Sequence, residues 1–116
     1  MMVREIMFDV DTIKRMYVHS DEWDGWYDGR RLFAGYEGEN EATQLSFTFG
    51  ADFDGYTISL VFDVDGTATV VETATDDFDY EIPEAYMNAE VIIANVKAVL
   101  GTQILYSRNI HLEVKR

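Results

Sequence analysis

The chain has 116 residues, a length that suits one domain able to bury roughly two-thirds of the surface its unfolded form exposes. It contains no cysteine, which excludes disulfides, thiolate metal sites and cysteine nucleophiles together. Its formal net charge of -13 repels phosphate backbones, so nucleic acid is not an expected partner.

The N-terminal run Met1 to Val10 has no long apolar stretch followed by a small-residue cleavage site. The expectation is therefore neither signal peptide nor membrane span, and a soluble protein made in a cytoplasm. Two short strands are predicted at 3–10 and 13–19. Residues 20–30 hold two Asp-Gly turn signals, Asp24-Gly25 and Asp28-Gly29, together with both tryptophans. Leu32 to Glu37 reads as a third strand ending at Gly38.

The clearest pattern lies between Thr43 and Asp63. Leu45, Phe47 and Phe49 alternate with Gln44, Ser46 and Thr48, and Tyr56, Ile58, Leu60 and Phe62 alternate with Thr57, Ser59 and Val61. Successive side chains of a strand point to opposite faces, so each run has one apolar face. This predicts two antiparallel strands, 43–49 and 56–63, covering one core. Asp65-Gly66 suits a type I′ hairpin returning as a strand over 67–73. Residues 74–77 read as a turn and 78–82 as a short strand stopped by Pro83. Glu84 to Met87 can make one helical turn.

From 90 to 100 the chain is apolar. Alanines favour helix there, but Val91, Ile92, Ile93, Val96 and Val99 are stiff at χ1 and favour strand, which is the reading adopted. Gly101-Thr102 fits a type II′ turn into a returning strand over 103–107. Ser107-Arg108-Asn109 marks a bulge or bend. Ile110, Leu112 and Val114 form the inward face of a last strand. No stretch carries helical periodicity over ten residues. The expected fold is all-β: a single domain over 1–116, an antiparallel, immunoglobulin-like β-sandwich of about seven to nine strands. Residues 1–30 supply the N-terminal strands and an aromatic turn region, and 31–116 the main sandwich.

Charge is partitioned along the chain. Between Leu32 and Val96 there are 14 Asp or Glu and no Lys or Arg; all nine basic residues lie outside this span. Such a field favours a basic protein partner, a cation, or simply solubility.

Chemistry is harder to find. Asp63-Val64-Asp65-Gly66-Thr67, delivered by the apolar run Leu60 to Phe62, resembles motif I of the haloacid dehalogenase-type phosphatases. That resemblance implies Asp63 as nucleophile, Asp65 as acid/base and magnesium between them. Lys97 or Lys115 would supply the later lysine, and Asp76-Asp77 the acidic pair. The chemistry needs a parallel sheet with crossover helices. The 49 residues after Thr67 read as strands instead, so the Asp-Gly hairpin is the preferred reading. Asp52, Asp54, Asp63, Asp65, Asp76, Asp77 and Asp79 fall at turns, where hard oxygen ligands suit calcium, but none fits the twelve-residue calcium loop. His19 and His111 stand alone and suggest no catalytic triad. No catalytic residue, cofactor or metal is assigned. Trp23, Trp26 and Tyr27, set among Asp21, Glu22, Asp24, Asp28, Arg30 and Arg31, are the candidate partner-binding residues. Aromatics beside arginines make interface hot spots, and aromatics beside carboxylates can stack on sugars.

The segment Tyr36 to Phe49, with its Gly38-Glu39-Asn40-Glu41-Ala42-Thr43-Gln44-Leu45-Ser46-Phe47 core, resembles small β-sandwich domains of phage and prophage tails in Gram-positive bacteria. The nearest likeness is to N-terminal domains of baseplate upper proteins and receptor-binding tail fibres. Tyr80-Glu81-Ile82-Pro83 and Ile110 to Val114 resemble the closing half of that family. The resemblance spans about residues 31–116 and does not reach residues 1–30. It implies a non-enzymatic structural role: an adaptor docking one virion component on another, in a tail or baseplate, either as a stand-alone protein or as a piece of a larger one. Partners would be other tail proteins or a second copy. The alternatives are a carbohydrate-binding module, with or without calcium, and the magnesium-dependent phosphatase.

Overall fold

The alternation resolves, in a computed structural model, into eleven strands in two facing sheets. The structure describes residues 3–12, 15–74 and 77–116. The strands are β1 (Arg4–Thr12), β2 (Arg15–His19), β3 (Asp24–Trp26), β4 (Arg31–Tyr36), β5 (Thr43–Phe49), β6 (Thr57–Val64), β7 (Thr67–Ala74), β8 (Phe78–Glu81), β9 (Val91–Leu100), β10 (Gln103–Tyr106) and β11 (Ile110–Lys115). The first sheet runs in the order β3-β2-β1-β5-β8. The second runs β4-β11-β9-β6-β7, with β10 also paired to β9. Two single 3-10 turns, Ala51–Phe53 and Glu84–Tyr86, join strands. Among the described residues no helix is long and apolar enough to cross a membrane.

The core follows from period-two burial. Ile58, Leu60 and Phe62 of β6 are buried, as are Ile92, Ala94, Val96 and Ala98 of β9 and Ile110, Leu112 and Val114 of β11. Facing them from the other sheet are Ile6, Phe8 and Val10 of β1, Met16 and Val18 of β2, and Leu45 and Phe47 of β5. Phe62 reaches Tyr80 of the opposite sheet, with ring centroids 5.1 Å apart, and Tyr86 at 5.4 Å. Deep in the seam the Thr43 hydroxyl donates to the Ala34 carbonyl at 2.6 Å, tying β5 to β4.

Turn chemistry behaves as the sequence predicts at both hairpins. Asp65 and Gly66 both take positive φ, +53° and +83°, the type I′ pattern, and the Gly66 amide donates to the Asp63 carboxylate at 2.9 Å. Gly101 alone takes positive φ at its turn, +62°, as type II′ requires. Ser107 to Asn109 interrupts the chain between β10 and β11, which lie end to end along the same side of β9.

The all-β sandwich stands, with three corrections. The described residues form eleven strands, more than the seven to nine predicted. Seven of the nine neighbour pairings among the described residues are antiparallel, but β1 with β5 and β4 with β11 are parallel. Alternation fixes which face a residue occupies and not the direction of its neighbour. β1 meets β5 only after the chain has left its sheet for β4 in the other one. The third correction is β3: Asp24-Gly25 is not a turn but an edge strand, with Gly25 opposite Val18. Only Asp28-Gly29 bends the chain, Gly29 taking φ +95°. Residues 13, 14, 75 and 76, part of the predicted strand over 13–19 and turn over 74–77, lie outside the described residues. The N-terminal strands are integral to the sandwich, since β1, β2 and β3 make three of the five strands of one sheet.

Phe47 is fully buried and stacks on Phe8 at 4.9 Å across the parallel pairing. Phe47→Ala is therefore expected to cost about 3–5 kcal/mol, read as a lower midpoint in urea unfolding.

Candidate functional site

The chain leaves the first sheet at His19 and enters the second at Arg31, and the intervening loop is closed by its own polar groups. The Ser20 hydroxyl donates to the Trp23 carbonyl at 2.7 Å and accepts from the Trp23 amide at 3.1 Å. The Asp24 carboxylate accepts from the Ser20 amide at 2.9 Å. These short-range bonds hold Trp23 in place before any ligand arrives. The Arg30 guanidinium lies 4.0 Å from the centre of its ring. Gly25 packs against the ring too: a Cβ there would sit 3.0 Å from Trp23 Cζ2. Arg30 is itself clamped, its Nε and Nη2 donating to the two oxygens of Asp28 at 3.1 and 3.0 Å. These bonds, with a further one from the Arg30 amide, hold the Asp28 carboxyl down to about 2 and raise the Arg30 pKa.

Beside Trp23 lies a cavity of about 340 Å³, lined by Arg4, Arg30, Arg31, Trp23 and Phe33 with Glu5, Asp21 and Glu22. It sits where β1 of one sheet faces the start of β4, an edge of the other. The Arg4 guanidinium lies 4.8 Å from the Phe33 ring centre and donates to Thr43 Oγ1 at 2.7 Å and to Glu39 at 3.2 Å. Glu39 also accepts from the Tyr36 amide, and this bond above all lowers its pKa. Arg31 pairs with Glu113 at 3.5 Å. Each of the three guanidiniums is thus matched by a carboxylate, leaving a groove that is aromatic and polar rather than strongly basic.

The three sequence-predicted residues separate. Trp26 is 47% exposed on β3, with Tyr17 edge-on at 5.3 Å and the Arg15 guanidinium 4.1 Å from its ring centre. Trp23 is half-buried at the mouth of the cavity. Tyr27 is only 5% exposed and belongs to the core. Its hydroxyl donates to the Arg30 carbonyl at 2.6 Å and accepts from the His111 amide at 2.9 Å. Its carbonyl accepts from Arg108 at 3.1 Å. Burial raises its pKa, so it stays a neutral donor at physiological pH. Tyr27 pins the loop to β11 and offers no free surface, because its side chain turns inward as the chain crosses to the second sheet.

Arg4 and Phe33 are the residues of this groove that sequence reasoning missed, while Arg30 and Arg31, read there as neighbours of the aromatics, do line it. For Arg4 the one signal is that it precedes, with Arg30 and Arg31, the acid-only span that begins at Leu32; Phe33 carries none. Elsewhere the candidate chemistry disperses. Asp63 and Asp65 sit on an antiparallel hairpin, since β6 pairs antiparallel with both β7 and β9. The phosphatase reading needs a parallel partner for the strand that carries Asp63 and a crossover helix behind it; both neighbours of β6 are antiparallel, and the described residues form no α-helix. No group of three or more His, Asp or Glu there can hold a metal ion; Asp76 lies outside the described residues. His19 contacts Asp9 at 2.9 Å on an exposed face, and His111 lies half-buried on β11. No protein-family model matches the chain, and no curated protein matches it significantly.

Tyr27→Phe removes the hydroxyl and leaves the Arg30 carbonyl and His111 amide without that partner. It is expected to cost about 1–3 kcal/mol in urea unfolding, whereas Trp26→Ala should change stability by well under that.

Proposed function

We propose that this protein is a non-enzymatic interaction module, an assembly adaptor of a phage or prophage tail or baseplate, made in the bacterial cytoplasm and carried in the virion. The observation that supports docking is the arginine-backed tryptophan surface. Trp26, Tyr17 and Arg15 form an exposed cluster, and Trp23 sits beside a groove already organised by Ser20, Asp24 and Asp28. Large aromatics held rigid by neighbouring guanidiniums lose little entropy on binding, which is the property of interface hot spots. The net charge of -13 steers such a module toward a basic partner surface. The tail assignment rests on the sequence resemblance over residues 31–116.

A sugar-binding role is less well supported by the same geometry. A pyranose stacks on an open aromatic face, and Arg30 occupies one face of Trp23 while Arg15 occupies one face of Trp26, which narrows the stacking surface without removing it.

The test is binding, by calorimetry, to the tail and baseplate proteins encoded beside this chain. One of them should bind, and Trp23→Ala with Trp26→Ala should weaken that binding about tenfold or more, since buried aromatic anchors contribute 2 kcal/mol or above. Unchanged affinity in the double variant would remove this face from the account. Glycan-array binding, or magnesium-dependent phosphoester turnover lost in Asp63→Asn, would overturn the adaptor reading.

A further inference from the structure

Among the described residues five strands form the sheet edges, and the sequences of four of them include charged residues: Asp24 in β3, Arg31 in β4, Glu72 in β7, and Asp79 and Glu81 in β8. Charged side chains on an edge are the usual protection against unwanted pairing. The β4 edge is further blocked by side chains, Thr43 donating to the Ala34 carbonyl and Glu39 accepting from the Tyr36 amide. β10, reading Gln103-Ile104-Leu105-Tyr106, has no charge, and among the described residues it pairs only with β9.

The register shows which of its backbone groups are free. In a two-residue hairpin the flanking pair, here Leu100 and Gln103, is hydrogen-bonded, and bonding then recurs at every second residue. Leu105 pairs in this way with Ala98, and the Ser107 amide donates to the Val96 carbonyl at 2.9 Å, which continues the series. Ile104 and Tyr106 therefore turn their N–H and C=O away from β9. Their side chains are 52% and 56% exposed.

Charge points to what covers this edge. The span from Val91 to Leu112 contains no Asp or Glu, two basic residues, Lys97 and Arg108, and one histidine, His111. In a chain with 22 acidic residues it is the longest run of sequence without a carboxylate, and β10 lies within it, so its own strand opposes a second copy with no like charge. We infer that β10 pairs antiparallel with β10 of a second copy across a two-fold axis, joining the two six-stranded sheets into one. The free groups set the register. Ile104 of one copy lies opposite Tyr106 of the other, exchanging both backbone bonds, and the two Leu105 residues meet at the axis. This places two β-branched–aromatic pairs on one face of the junction, a favourable cross-strand combination. Such an isologous contact closes on itself and does not propagate. It uses none of the tryptophan surface and is independent of it.

Light scattering and sedimentation of the purified chain test this. The expected species is a dimer of about twice the 13.3 kDa chain mass. It should tighten as salt rises from about 10 mM to about 1 M, because the screening length falls from about 30 Å to about 3 Å and the repulsion between two net-acidic bodies fades. Ile104→Lys should weaken it about tenfold or more, while Thr69→Lys on β7 leaves it unchanged. Should Ile104→Lys fail to fold, hydrogen exchange on the native chain decides: the Ile104 and Tyr106 amides should gain protection as concentration rises. A monomer under all these conditions, or a dimer indifferent to Ile104→Lys with those amides unprotected, overturns the inference.

Discussion

Two sheets can close on each other only if their inner faces are apolar at every second residue, and in this molecule three phenylalanines sit at the centre of that closure. Phe8 and Phe47 stack across the parallel β1–β5 pairing, and Phe62 reaches over from the second sheet to Tyr80 and Tyr86. All three are fully buried. Smaller residues on β9, Ala94 and Ala98, alternate with Ile92 and Val96 along the inner face of the second sheet. Fill of this kind, large residues against small ones, lets side chains interdigitate at crystal-like density. The hydrogen bond from Thr43 to Ala34 adds a polar clasp in a place where an unpaired carbonyl would be costly.

The same closure decides what stays outside. The loop from Ser20 to Arg30 has to cross from one sheet to the other, and it does so by sending Tyr27 inward as an anchor. Trp23 and Trp26 remain at the surface, each covered on one side by a guanidinium. At the β9–β10 hairpin the consequence is different: β10 lies at the rim of its sheet, with Ile104 and Tyr106 exposed and nothing charged beside them on the strand. Two surfaces of unlike chemistry result. One is aromatic and arginine-rich on the first sheet and its crossing loop, and the other is an uncharged edge on the second sheet. An adaptor that both assembles and docks would use two such surfaces.

Alternation made most strands legible, because the pleat allows only two faces and the polar residues betray the outer one. It served best at β6 and β11, where Ile58 and Leu112 fall on the inner face as the pattern predicts. Glycine turns were readable where φ had to be positive, at Gly66 and Gly101, and misleading at Gly25, where the residue is needed for the close packing of Trp23. The parallel pairings were not readable. They join strands far apart in sequence, and nothing in the local pattern of Arg4 to Val10 encodes that Thr43 to Phe49 will lie beside it. The tryptophan region was legible as a cluster but not in its parts. Composition cannot separate a tyrosine whose hydroxyl finds two backbone partners inside from a tryptophan left at the surface. Nor could it find Arg4 and Phe33, which reach the groove only through tertiary structure.

The account rests on inner faces built from strands that meet in a mixed, two-sheet arrangement, and nuclear Overhauser contacts in solution probe that arrangement most directly. Contacts should link the rings of Phe8 and Phe47, and backbone protons of Ile6 and Leu45 should show the pattern of a parallel pair, with Phe62 and Tyr80 in contact across the sheets. Helical chemical shifts over Val91 to Leu100, or strands β1 and β5 giving no mutual contacts, would contradict it.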